Sequence, residues 1–118
     1  MKKIELINLT PHQVTVFLPD GTKVEIPPSG TVARVETIKE KTGEINGIPV
    51  YNTKFGAVEG LPDPEPYKAY IVAGLVQQAT PWRKDLLSPD TSPDGVVRDA
   101  EGRIVGVRGL TRLNNRFI

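Results

Sequence analysis

The fold class is decided by residues 13–26, which read QVTVFLPDGTKVEI. Val14, Val16 and Leu18 recur at every second position, which is the period of a β-strand with one apolar face. Pro19-Asp20-Gly21 follows as a turn signal, because glycine adopts a positive φ without a steric cost. The chain then returns through residues 23–26. The stretch therefore predicts a β-hairpin.

Short strands broken by turns continue along most of the chain. Asn46-Gly47 is a strong signal for a type I′ hairpin, and Pro49 puts the strand that follows it at a sheet edge or a bulge. A last hairpin is predicted around the turn at residues 99–102, with a bulge at Gly102. Further strands are predicted at residues 3–9, 31–38, 55–58 and 67–72. We expect a mainly β fold: an antiparallel sheet, a small sandwich or a partly open barrel.

Two short helices are compatible with residues 73–87. Residues 73–79 place apolar side chains at helical spacing. Thr80-Pro81 then resembles an N-cap followed by proline at the first helical position, which predicts a second helix from Trp82 to Leu87. We therefore expect one or two short helices in this part of the chain.

Composition excludes several classes of function. The 118 residues form one domain, 1–118, with 15 basic and 14 acidic side chains, a net charge of +1, no cysteine and one histidine. We expect no metal site and no cofactor, because a cysteine or histidine cluster, a glycine-rich phosphate loop and a Gly-x-Ser-x-Gly elbow are all missing from the sequence. No apolar run approaches the ~18 residues of a membrane span. We expect a non-enzymatic protein of the cytoplasm.

Arginines in the last third of the chain are the most suggestive feature. Six of the seven basic residues after position 81 are arginine, against one of eight before it. Arginine offers a rigid fork of donors that suits phosphate and carboxylate groups. Arg34, Trp82, Arg83 and Arg98 are predicted to share a concave ligand-binding surface, within one chain or across a dimer. Arg34 shares strand parity with Ile38, and Trp82 with Arg83 would open the second helix. The alternative is that Arg83 and Arg98 form salt bridges with Asp85 and Asp99 and that Trp82 fills the core.

His12 and the late carboxylates are weaker candidates. His12 is included among the ligand-binding residues, but a structural role is the alternative, in which its ring binds a nearby carbonyl or carboxylate and fixes the turn. Asp90 and Asp94 are expected to cap turns rather than to bind metal. The basic tail at residues 111–118 could contact nucleic acid, yet the small net charge makes a nucleic-acid partner unexpected.

Several strings in the chain are familiar in combination. They are NLTPH at residues 8–12, PSGTVARV at 28–35, FGAVEGLP at 55–62, YIV at 70–72, RKDLLSP at 83–89 and VRDAEGRIVG at 97–106. In this order they resemble a group of small proteins encoded by tailed bacteriophages and prophages. The resemblance spans nearly the whole chain and implies a viral origin, with the host cytoplasm as its location, but no defined activity.

Two functions follow as expectations. The first is a non-enzymatic phage-type binding protein that, as a monomer or a homo-oligomer, holds a small anionic ligand or nucleotide such as a host defence signal. The ligand class rests on the analogy that phages use small proteins to sequester such signals. The second is a protein–protein interaction module that acts on a host or virion protein. We expect no membrane partner.

Overall fold

The computed structural model describes residues 3–113 and confirms the mainly β class. Ten strands and one helix are present in this part of the chain. The strands are β1 (Glu5–Asn8), β2 (Val14–Phe17), β3 (Lys23–Ile26), β4 (Arg34–Ile45), β5 (Ile48–Glu59), β6 (Lys68–Ile71), β7 (Leu86–Pro89), β8 (Val96–Arg98), β9 (Ile104–Val107) and β10 (Leu110–Thr111). The helix α1 (Gly74–Ala79) lies between β6 and β7.

The strands form two four-stranded sheets and one two-stranded ribbon. The first sheet has the order β1-β6-β7-β10 and the second the order β3-β2-β9-β8, and neither closes into a barrel. Both sheets are mixed rather than purely antiparallel, because β1 with β6, β6 with β7, and β2 with β9 pair in parallel. The predicted hairpins β2–β3 and β8–β9 are confirmed.

Strand β6 is buried on both faces and holds the two sheets together. Tyr70 and Val72 point into one apolar cluster, together with Val76 of α1 and Leu86 of β7. Ile71 points the other way into a second cluster, formed with residues of β2 and β9. Tyr70, Ile71 and Val72 are each at most 1% exposed. The molecule is therefore layered, with the second sheet on one side of β6 and α1 on the other.

Strands β4 and β5 form a long ribbon, which we call the arm. Its turn has Asn46 and Gly47 at φ 54° and 77°, which confirms the predicted positive-φ turn. Pro49 lies in a strand that pairs only with β4, as its missing N–H requires. Only the base of the arm, at Val35 and Val58, packs against the first apolar cluster.

The predicted second helix is wrong. Thr80 ends α1, since its hydroxyl donates to the Val76 carbonyl at 2.9 Å and Pro81 disfavours a helical conformation at the residue before it. Residues 86–89 form β7 instead, because Tyr70 and Val72 donate backbone hydrogen bonds to the carbonyls of Asp85 and Leu87. Pairing with a buried strand overrides the local helix signal. No helix among residues 3–113 could span a membrane.

The side chain of Asn8 fixes the junction of β1, β2 and β3. It is 1% exposed, and its amide donates to the carbonyls of His12 and Ile26 at 2.8 and 3.0 Å. Its oxygen accepts from the Thr10 N–H and hydroxyl at 2.9 and 2.7 Å. Proline at position 11 removes a donor from this turn, so the Asn8 amide replaces ladder hydrogen bonds that the backbone lacks there.

Asn8→Ala should lower the free energy of unfolding by about 2–3 kcal/mol, because it removes a buried amide that makes four hydrogen bonds and leaves the carbonyls of His12 and Ile26 without this donor. Urea denaturation followed by circular dichroism measures this. Ser29→Ala serves as the control, since its exposed hydroxyl makes only two long bonds, of 3.3 and 3.4 Å, both to Thr31, and their loss should cost under about 0.5 kcal/mol. Equal losses in the two variants would contradict the central role of Asn8.

Candidate functional site

A cleft of about 770 Å³ lies where α1 and β7 meet the second sheet. This volume falls within the range of small-molecule sites, roughly 300–1,000 Å³. Its walls come from the turn before β2, from β2 itself, from one side of α1, from residues 88–92 and from β9. Ile104 and Val105, which are 54% and 43% exposed, provide an apolar wall.

The buried polar side chains of the cleft are bound to the protein backbone. Gln77 donates from its amide to the carbonyls of Leu86 and Thr111 at 3.3 and 3.1 Å. The Ser88 hydroxyl donates to the Val72 carbonyl at 2.7 Å. These hydrogen bonds stabilise the contact of α1, β7 and β10. Gln77 and Ser88 therefore shape the cleft, and neither side chain is activated for catalysis.

Asp90 provides the negative charge of the cleft. Its Oδ1 atom accepts hydrogen bonds from the N–H and hydroxyl of Ser92 at 3.1 and 2.7 Å, which confirms the predicted turn cap. These bonds, the hydroxyl one first, lower the pKa of Asp90, so it is ionised at neutral pH. Gly95 packs against this carboxylate so closely that a Cβ atom there would collide with it. The fold therefore holds the carboxylate in one place.

Positive charge is scarce in the cleft. None of the described residues that line it is lysine or arginine, and the exposed His12 is the one basic side chain among them. Gln13, Gln78 and Thr91 add amide and hydroxyl groups at the rim. The cleft thus combines one carboxylate, neutral hydrogen-bonding groups and an apolar wall.

His12 is the one predicted site residue that lines the cleft. The alternative that the His12 ring fixes the turn is wrong, although His12 does take part in the turn. The carbonyl of His12, not the imidazole, joins the turn, where it accepts from the Asn8 amide and the Thr10 hydroxyl at 2.8 and 2.9 Å. None of the hydrogen bonds found among residues 3–113 uses the ring.

Arg83 forms the predicted salt bridge with Asp85. The guanidinium donates twice to the carboxylate, both at 2.8 Å, and once to the Pro62 carbonyl at 2.9 Å. Both side chains are nearly buried, at 12% and 15% exposed. Since residues 82–87 are not a helix, neither Trp82 nor Arg83 lies at a helix N-terminus. Trp82 is 66% exposed, so the idea that it fills the core is wrong.

Arg34 and Arg98 lie on the surface, away from the cleft lining. The inward direction predicted for Arg34 is wrong, because the core-facing side of β4 is that of its neighbour Val35. The prediction assumed that Ile38 faces the core, but Ile38 lies in the arm and is 48% exposed. Arg98 donates to the Gly102 carbonyl at 2.7 Å across its hairpin, and no salt bridge with Asp99 is found within the described chain.

Other candidates contribute little to this site. No group of three or more histidine, aspartate or glutamate side chains among residues 3–113 is arranged to hold a metal ion. Most of the basic tail, from residue 114 on and including Arg116, lies outside the described residues.

The sequence analysis missed Gln78 and the wall formed by Ile104 and Val105. One signal was available for Gln78, because it is a polar side chain beside an apolar helical stripe. No sequence pattern places β9 and α1 on the same cleft, since that arrangement depends on the parallel pairing of β2 with β9. Comparison with known proteins adds nothing here: no family model, curated protein or solved structure matches this chain.

His12→Gln should change the free energy of unfolding by less than about 0.5 kcal/mol, because the carbonyl that joins the turn is retained. Thermal and urea denaturation measure this. A loss near or above 1 kcal/mol would mean that the imidazole makes a stabilising bond in solution.

Asp85→Asn should destabilise the protein by about 2 kcal/mol at pH 7, because it leaves a charged, nearly buried guanidinium without its partner. The hydrogen bonds from Arg83 are the main cause of the lowered pKa of Asp85. A lowered folded-state pKa means that the ion pair contributes stability above the unfolded-state value of 3.8, and that this contribution is lost as the pH falls through the lower folded-state pKa.

The variant should therefore lose less stability than the wild type between pH 5 and pH 2, measured by urea denaturation at each pH. Glu65→Gln is the control, because its 2.8 Å pair with Lys68 is exposed and should contribute under about 0.5 kcal/mol. Parallel pH profiles for wild type and Asp85→Asn would contradict the prediction.

Proposed function

We propose that this chain is a non-enzymatic binding protein that holds a small, uncharged polar ligand in the cleft between α1 and the second sheet. The observation that carries the proposal is the composition of the cleft, with one fixed carboxylate, several amide and hydroxyl groups, and an apolar wall. Such a lining suits a ligand that donates hydrogen bonds at one edge and presents a flat apolar face.

A binding role is favoured over catalysis by how the polar groups are used. Gln77 and Ser88 donate to backbone carbonyls, and Asp90 accepts from Ser92. A general base needs a partner that orients it, and His12 has no hydrogen-bonded carboxylate among the described residues. These contacts support a rigid recognition surface.

The cleft does not favour the anionic ligand expected from the arginines. A phosphate-bearing ligand would meet the ionised Asp90 and, among the described lining residues, no arginine or lysine. The resemblance to small phage proteins supports a viral origin and is silent on ligand charge. An anion would therefore need arginines from a second protomer. The version of the arginine hypothesis in which the ligand-binding surface spans a dimer thus stays a proposal.

A protein–protein interaction module is the second candidate function. It is favoured by the arm, which exposes large apolar side chains along strands that pair with no other part of the described chain. Two-stranded ribbons are only marginally stable in water by themselves, so such an arm gains from a covering surface.

Gln78→Trp should remove any bound ligand, because its side chain projects from α1 at the rim and a larger ring would obstruct the cleft. The protein is purified from its expression host, denatured, and the extract read by mass spectrometry for compounds present in proportion to protein. Leu75→Trp is the matched control, since Leu75 is exposed on the same helix but does not line the cleft.

The expected result is an uncharged compound recovered with wild type and Leu75→Trp and reduced at least tenfold with Gln78→Trp. Titration of the recovered compound by calorimetry gives its affinity. Recovery of a nucleotide or another anion in equal amounts from all three proteins would contradict the cleft as the site and the proposed ligand class.

A further inference from the structure

Among the described residues, no apolar cluster and no strand pairing joins the distal part of the arm, residues 38–54, to the body. Contacts between the arm and the body occur at its base, where Val35 and Val58 join the first cluster. Strands β4 and β5 nevertheless continue for 12 residues each. A ribbon of this length that exposes both faces requires an additional source of stability.

The size of the molecule indicates the same need. Its accessible surface is 8,479 Å², whereas a compact chain of 12.9 kDa should expose about 6,300 Å². Its radius of gyration is 16.8 Å against about 13.5 Å for a compact domain of 118 residues. A stable interface buries about 800 Å² on each partner, so the excess of roughly 2,200 Å² is ample for one.

Strand register assigns the side chains of the arm to two faces. Residues directly opposite one another on paired strands share a face, so Val35 and Val58 mark the inner face that continues from the core. A bulge between Val35 and Thr37 places Phe55 opposite Thr37, which shares the face of Val35, so Phe55 and Tyr51 lie on this inner face. A bulge at Lys41–Gly43 and the pairing of Ile45 with Ile48 put these two isoleucines on the other side.

We define the outer face of the arm by Ile38, Glu40, Ile45, Ile48, Val50 and Lys54. Its aliphatic side chains form a row that ends at the Ile45–Ile48 pair, which is 64% and 65% exposed. Its two charges compensate each other, since Lys54 and Glu40 form an ion pair of 2.8 Å. Asn52 lies opposite Glu40 on the same face, so the outer face has an aliphatic tip, a polar middle and no net charge.

We propose that the outer face of the arm is a dimerisation surface that packs face to face on the same surface of a second copy of this chain. In a two-fold interface a patch meets itself, so it must not carry uncompensated charge. The outer face meets this condition. The distal inner face does not, because Lys39 and Lys41 against Glu44 leave it with a charge of +1.

A second copy of the chain is also the partner that is available earliest to cover the arm. Another copy of the chain is present whenever the protein is made, whereas a foreign partner is encountered later. Stacked ribbons pack at about 10 Å, the spacing of sheets in a sandwich, so two outer faces would form a small four-stranded sandwich. This inference is independent of the ligand proposed for the cleft, which lies beside α1 and shares no lining residue with the arm.

Sedimentation equilibrium of the full chain tests the proposal. The expected mass at about 10 μM is twice the 12.9 kDa of one chain. Ile48→Lys should raise the dimer dissociation constant at least about a hundredfold, because each dimer would then bury two unpaired ammonium groups. Tyr51→Lys is the matched control: Tyr51 is 54% exposed on the same strand but faces inward, so this variant should still dimerise.

Circular dichroism establishes that both variants are folded, and cross-linking gives a second, independent readout. The sequence has no cysteine, so a single introduced cysteine reports on its own surroundings. A bis-maleimide cross-linker that spans about 10 Å, the spacing of packed sheets, should link Ile48→Cys into a covalent dimer and leave Tyr51→Cys unlinked. A wild type that stays monomeric to about 100 μM, a closed trimer or larger ring, or loss of the dimer in Tyr51→Lys rather than in Ile48→Lys would each overturn the proposal.

Discussion

The burial of β6 on both faces is the constraint on which the rest of the structure depends. A strand that is apolar on one face needs one layer against it, but Tyr70, Ile71 and Val72 are all at most 1% exposed and need two. The second sheet covers Ile71, whereas α1, β7 and the base of the arm contribute to the cluster around Tyr70 and Val72. The parallel neighbours β1 and β7 follow, because fully buried strands are typical of parallel pairing.

The cleft is a consequence of this layering. The chain leaves β6, forms six residues of helix and returns as β7, and Gln77 and Gln78 of this helix line the cleft together with residues of β2 and β9. Gln77 then ties the helix to β7 and β10 through backbone carbonyls. The space beside α1 is bounded by these hydrogen-bonded elements, so the proposed ligand would enter a cleft whose walls are already in place.

Local signals in the sequence identified the hairpins and failed at contacts between distant residues. Asn46-Gly47 predicts its turn because only residues that tolerate positive φ fit there. Residues 86–89 carried a helix signal and form a strand, since the hydrogen-bonding groups of β6 at residues 70–72 require a neighbour. Arg34 and Ile38 do share a face of β4, as their spacing predicts. The inward direction assigned to that face was wrong, because Ile38 belongs to an arm that extends beyond the core. Among the predicted site residues only His12 lines the cleft.

The concentration of arginines has a physical reason other than ligand binding. The chain contains 11 prolines, each without an N–H, and its irregular connections leave carbonyls that no ladder can satisfy. Three guanidinium groups donate to backbone carbonyls: Arg83 to that of Pro62, Arg98 to that of Gly102 and Arg108 to that of Val96. A lysine offers one charged nitrogen, whereas the planar fork of Arg83 holds a carboxylate and a carbonyl at the same time. These three arginines therefore serve the fold, and the two surfaces that carry the proposals are the cleft, which is nearly free of positive charge, and the outer face of the arm, which has no net charge.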